Sequence, residues 1–145
     1  MVDVSRKPVT TRVARAACRV VMRKATLEQI FAGTLPKGDV LSVARLAGIQ
    51  AAKRTAELIP LCHPLALTHV GIEFERRSPD ALEITAECRV LGQTGVEMEA
   101  MTAVTVAALT VYDMCKAIDR AIVIDAVRLL SKRGGRSRNW HAEAR

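Results

Sequence analysis

The chain has 145 residues, 50% apolar and 26% charged, with ordinary glycine and proline numbers; this suits one domain with its own core and excludes a fibrous repeat or a disordered chain. Its longest uncharged stretches, 58–72 and 100–112, are broken by prolines or fall short of the ~20 apolar residues a bilayer span needs. With no positive-then-apolar leader pattern at the N-terminus, a cytoplasmic location is expected. The net charge of +7 is uneven: residues 1–24 carry +6, residues 132–145 carry +4 and the body between them −3. Basic ends suit a phosphorylated small molecule, a nucleic acid or simply solvent. In chain order, residues 14–22 alternate, with Ala14, Ala16, Cys18, Val20 and Met22 on the inner side and Arg15, Ala17, Arg19 and Val21 on the outer, which predicts a strand. Thr26 to Gln29 has the spacing of a capping box and opens a short helix that Gly33 stops. Asp39 caps a second helix over 40–58, ended by Pro60. The segment 59–65, with Pro60 and Pro64, reads as an apolar loop. Strands over 69–76 and 82–90 are joined as a hairpin through 77–80. After a turn at 92–95, a long helix over 97–118 has an alanine-rich middle that suggests burial. Ile122, Ile124, Val127 and Leu129 suggest a last strand whose phase breaks near Asp125, and the tail from Gly134 reads as loose.

The resulting order is β-α-α-β-β-α-β. Without one helix this is the ferredoxin-like split βαβ, an α+β fold with an antiparallel sheet covered by helices on one face. The four cysteines, at 18, 62, 88 and 115, have neither disulfide-framework nor zinc-ligand spacing, and Cys18 and Cys88 read as small core residues.

The long helix carries the most informative polar residues. Asp113 and Lys116, one turn apart among apolar neighbours, form either a structural ion pair or a site in which burial and charge tune proton transfer. Glu97 and Glu99 in the first turn either meet the helix dipole or hold a ligand. Fourteen residues separate Glu99 from Asp113, about 21 Å at ~1.5 Å per residue, so one small ligand cannot touch both from a single helix. If both act, either two pockets or one pocket shared between subunits is required. Lys37 precedes a helix N-terminus, and Lys132, Arg133 and Arg136 surround paired glycines; both patterns suit phosphate. His63 is fixed between Cys62 and Pro64 in the apolar loop.

Read together, these segments resemble the cyclic pyranopterin monophosphate synthases of molybdenum-cofactor biosynthesis over nearly the whole chain. The resemblance rests on Met1–Ser5 with Thr10 and Arg12, Lys37–Leu41, Ala44 and Arg45, Ala47–Arg54, and above all Leu58–Leu65 (LIPLCHPL). It continues through Thr94–Ala100 (TGVEMEA), Tyr112–Lys116 (YDMCK) and Gly134–Gly135. It implies a lyase that converts 3′,8-cyclo-7,8-dihydroguanosine 5′-triphosphate to cyclic pyranopterin monophosphate with release of pyrophosphate. It further implies a homohexamer built as three dimers, with pockets between subunits. The residues themselves show no carboxylate cluster with metal spacing, so no resident cofactor or metal is expected, and a divalent ion accompanying the triphosphate stays compatible. By motif, Asp113 is the central acid/base with Lys116 and Lys37 beside it. Leu61, Cys62, His63, Glu97, Met98 and Glu99 hold substrate, together with Arg12, Lys132 and Arg136. The tail departs from the family's Lys-Ser-Gly-Gly-Lys-Ser-Gly: Arg136 keeps the charge but forks differently from lysine, which favours phosphate clamping, and Arg138 replaces a glycine. The resemblance implies a single synthase domain over 1–145, with a flexible basic tail from about 134. Two other readings remain: a catalytically impaired relative retained for assembly, and a nucleic-acid-binding module of the same element order. The second is opposed by 3% aromatic content and by strands whose outward faces carry glutamates.

Overall fold

The computed structural model describes residues 1–135 and 139–143. Its elements are β1 (Thr10–Val21), α1 (Lys24–Ala32), α2 (Val40–Lys53), α3 (Thr55–Leu58), β2 (Leu67–Ser78), β3 (Ala81–Gly92), α4 (Glu97–Cys115), β4 (Val123–Arg133) and β5 (Trp140–His141). The sheet order is β2-β3-β1-β4-β5, and every neighbouring pair is antiparallel. The first four strands therefore have the ferredoxin-like arrangement expected from the element order. Helices α2 and α4 pack on each other and on one face of the sheet.

The inward residues of β1 and β3 build the core as their alternation requires: Cys18, Val20, Leu82, Ile84 and Cys88 are fully buried. Against them lies the alanine face of α4, including Ala100, Ala103 and Ala107. Gly48 of α2 permits this close approach, because a Cβ there would stand 2.3 Å from Ile72 Cδ1 and 2.9 Å from the Ala103 carbonyl oxygen. The helix-free face carries cross-strand ion pairs, among them Arg19–Asp125 at 2.8 Å and Arg77–Glu83 at 2.8 Å.

Several local expectations are corrected. Thr26 does not cap α1: Arg23 holds the N-cap position, and the buried Thr26 hydroxyl donates to Asp119 at 3.0 Å. The pull is toward Asp119, itself buried and also accepting from the Arg23 backbone N–H, because a buried carboxylate needs several donors. Asp39 does cap α2, accepting from Ser42 N at 3.0 Å, but the helix breaks at Arg54 and resumes as the short α3. Helix α4 ends at Cys115, not at 118, and leaves Lys116 as its C-cap. Ala17, read as outward, is fully buried; it sits opposite Thr85 and Arg128, whose longer side chains shield its methyl. The phase break near Asp125 is a bulge in the β1–β4 ladder, with Ala126 at φ 50°. The tail is not wholly loose, since Trp140 and His141 pair with Lys132 and Ser131 and extend the sheet.

Candidate functional site

Two adjoining cavities lie at the N-terminal end of α4. The larger, about 450 Å³, is lined by Leu61, Cys62, His63 and Leu65 from the proline loop, by Glu97, Met98 and Glu99 from α4, and by Val2, Val4 and Lys7. The smaller, about 180 Å³, is lined by Lys7, Arg12, Lys132 and Arg133 with Glu97 and Gly134. Lys7, Thr94, Gly95 and Glu97 border both. The proline loop cannot enter the sheet, because Pro60 and Pro64 have no N–H to give a ladder, and it is thus free to wall the larger cavity. The Val2 carbonyl lies 2.8 Å from His63 Nε2 and can only accept, so Nε2 carries a proton.

Glu99 is only 4% exposed. Burial pushes its carboxyl up from the ordinary glutamate value; its own backbone N–H opposes this and the neighbouring Glu97 charge adds to it. Among the described residues no side chain donates a hydrogen bond to it. Glu97, by contrast, pairs with Lys132 at 3.0 Å. The helix-dipole reading of this first turn therefore misses what separates the two acids, which is burial. Arg12 is 7% exposed, and its Nε donates to the Gly92 carbonyl at 3.0 Å. Gly134 and Gly135, at φ +94° and +80°, fold the chain directly over it: a Cβ on Gly135 would stand 2.2 Å from Arg12 Nη1.

At the other end of α4, Asp113 accepts from Lys116 at 2.7 Å and from Lys37 at 2.9 Å, and Lys37 also reaches the Asp113 carbonyl at 3.0 Å. The hydrogen bonds from Lys116 and Lys37 hold the Asp113 carboxyl down at about 2, and Asp113 in turn raises the Lys116 ammonium. The tuning expected from burial is absent in the single chain, because all three side chains are about half exposed. Ion pairing alone does it, leaving the Asp113 carboxylate beside a Lys116 ammonium at neutral pH.

The structure thus brings Leu61, Cys62, His63, Glu97, Met98 and Glu99 around one cavity and Arg12 and Lys132 around the next. It keeps Asp113, Lys116 and Lys37 apart from both, about 21 Å along α4. Arg136 lies outside the described residues. The four cysteines are free, and among the described residues no group of three His, Cys, Asp or Glu is placed to hold a metal. No helix among them is long and apolar enough to cross a membrane. Sequence reasoning missed Lys7, Thr94 and Gly95 as lining residues, whereas Arg133, read with Lys132 as suited to phosphate, does line the smaller cavity. The cationic excess of the two ends was the available signal, and it did not say which cations converge.

Fold and cavities together define a small α+β protein with a cation-lined cleft beside a mixed apolar and acidic one. The profile of the MoaC family matches residues 1–135, and the chain belongs to that family. It is 62% identical over 147 residues to a cyclic pyranopterin monophosphate synthase of Chloroflexus aggregans, covering 99% of this chain and 87% of that protein. It is also 62% identical over 144 residues to a protein of the same name from Chloroflexus aurantiacus, covering 97% of this chain and 86% of the relative.

Proposed function

We propose that the chain is a cyclic pyranopterin monophosphate synthase, a lyase of molybdenum-cofactor biosynthesis. It converts 3′,8-cyclo-7,8-dihydroguanosine 5′-triphosphate to cyclic pyranopterin monophosphate and releases pyrophosphate. The observation that carries this reading is the seam between the cavities. A space of about 450 Å³ with Cys62, His63 and Glu99 has the size and polarity for a fused ring system, and it opens beside a cluster of Lys7, Arg12, Lys132 and Arg133 suited to phosphates.

The chemistry breaks and rebuilds rings and closes a cyclic phosphate. In that closure a substrate hydroxyl oxygen forms a bond to phosphorus, the bond to pyrophosphate breaks, and the hydroxyl proton passes to a base. Asp113, ionised at neutral pH, is the acceptor; Lys116, held protonated beside it, is the donor, and Lys37 orients the carboxylate. Cations from both termini steady the departing pyrophosphate. The rearrangement is redox-neutral, so the reading assigns no resident cofactor; any divalent ion travels with the triphosphate. Because Asp113 stands far along α4 from the ring cavity, the acid of one copy serves the cavity of another. The assembly that follows is a cytoplasmic homohexamer of three dimers, each chain one synthase domain. The test is incubation with the cyclised triphosphate, followed by measurement of pyrophosphate and the cyclic product. Asp113→Asn and Lys116→Ala should each lose about 10²–10⁴ in turnover while keeping the wild-type circular dichroism. Full activity in either variant removes that residue from the mechanism.

A further inference from the structure

Residues 1–9 precede the first strand and lie along the larger cavity, to which Val2, Val4 and Lys7 contribute. Within this segment the backbone makes one turn, Lys7 N to the Val4 carbonyl at 2.9 Å, and Asp3 accepts from Ser5 N at 2.9 Å. Among the described residues, two side chains tie it to the rest of the molecule by hydrogen bonds. His63 holds the Val2 carbonyl, and the Gln93 amide nitrogen donates to the carbonyls of both Ser5 and Lys7, at 3.1 and 3.0 Å. Gln93 directly precedes Thr94 and Gly95, which with Lys7 border both cavities.

We infer that Gln93 is a positioning residue: its amide clamps the N-terminal strap onto the turn before α4 and so sets the Lys7 ammonium at the seam of the two cavities. Both groups it meets are carbonyls, so the position demands a donor. Glutamate there, nearly isosteric, would face two acceptors with a charged acceptor. Arginine offers N–H groups and can restore the tie. At the seam, Lys7 would meet a ligand where its ring portion gives way to its phosphates; this consequence rests on the reading above, whereas the clamp itself does not. Gln93 touches no reacting group, so loosening it should weaken binding and leave the chemical step intact.

The test compares Gln93→Leu, Gln93→Glu and Gln93→Arg in the full chain by two readouts. The first is limited trypsin cleavage after Arg6; the next basic residue, Lys7, is followed by Pro8 and resists the protease. Loss of two hydrogen bonds should speed cleavage after Arg6 roughly 5- to 150-fold in the leucine and glutamate variants, with the arginine variant close to wild type. The second readout is steady-state kinetics on the cyclised triphosphate, where KM should rise in the leucine and glutamate variants while kcat stays within about twofold. Unchanged cleavage in Gln93→Leu, or cleavage equally fast in Gln93→Arg, overturns the clamp. Faster cleavage with an unmoved KM overturns its role in placing Lys7. Faster cleavage in a protein whose wild type turns over no substrate supports the clamp and removes the proposed activity instead.

Discussion

The glycines that cover Arg12 allow a stability experiment with an internal control. Gly33 and Gly134 both have positive φ, +68° and +94°, so alanine at either takes the left-handed penalty of about 1–2 kcal/mol. Their surroundings differ. A Cβ on Gly33 meets nothing within 4 Å, whereas one on Gly134 falls 2.2 Å from the Thr11 carbonyl oxygen and 3.2 Å from Arg12 Cα. Those atoms belong to β1, where Thr11 and Arg12 are held in register with Leu91 and Val90 of β3, and cannot retreat by the ångström required. The end of β4 must lift instead, which loosens the Val13–Arg133 pairing; a ladder hydrogen bond or two at about 0.5–1.5 kcal/mol each is lost. Gly134→Ala should therefore cost about 2–4 kcal/mol and Gly33→Ala about 1–2. Urea denaturation of both variants, read as a midpoint change at constant slope, measures the difference. Gly134→Ala should also weaken substrate binding, because the cover over Arg12 moves, while Gly33→Ala should not. Equal destabilisation by the two substitutions would refute the steric argument.

Burial raises the Glu99 carboxyl, so its contribution to stability is complete below the ordinary glutamate value near 4.5 and is lost as pH rises through the elevated folded value. Glu99→Gln, which removes that loss, should melt about 2–4 °C above wild type at pH 8 for each kcal/mol recovered and show no gain at pH 4; a melting gain independent of pH would contradict the assignment. Asp113 titrates in the opposite sense: the stabilisation from its ion pairs is present above the ordinary value of 3.8 and is lost as pH falls through about 2. Removing either ammonium, by Lys37→Ala or Lys116→Ala, should move the Asp113 carboxyl up toward 3.8 in a carbon-13 carboxylate titration. No movement in either variant would mean that the ion pairs do not form in solution.

Strand alternation in β3 and, apart from Ala17, in β1 was legible because the inward face is buried, and in β2 because Val70, Ile72 and Phe74 pack toward the core although only Ile72 is fully covered; the hairpin between β2 and β3 was legible with them. Asp39 was legible as a cap because its side chain has no rival partner. Thr26 was not: its capping spacing is a local signal, and Asp119, over ninety residues away, competes for the hydroxyl. Ala17 was misread because an alternation rule does not register how far neighbouring strands' side chains reach. The Asp113–Lys116 couple is an i, i+3 relation and could be read directly, whereas the third member, Lys37, came only through the family resemblance. Lys7 and Gln93 stayed hidden because their roles depend on the path of an N-terminal strap with no periodic pattern.

The central claim is that acid and ring cavity, held apart by the length of α4 within each chain, meet between copies. Asp113→Asn and the ring-cavity variant Glu99→Gln, each first confirmed to lack turnover on its own, should be denatured, mixed in equal amounts and refolded together. If sites are shared between two subunits, random pairing restores about a quarter of the sites, and turnover should recover to that share of wild type. Mixed oligomers that form and remain as inactive as either parent would contradict the account.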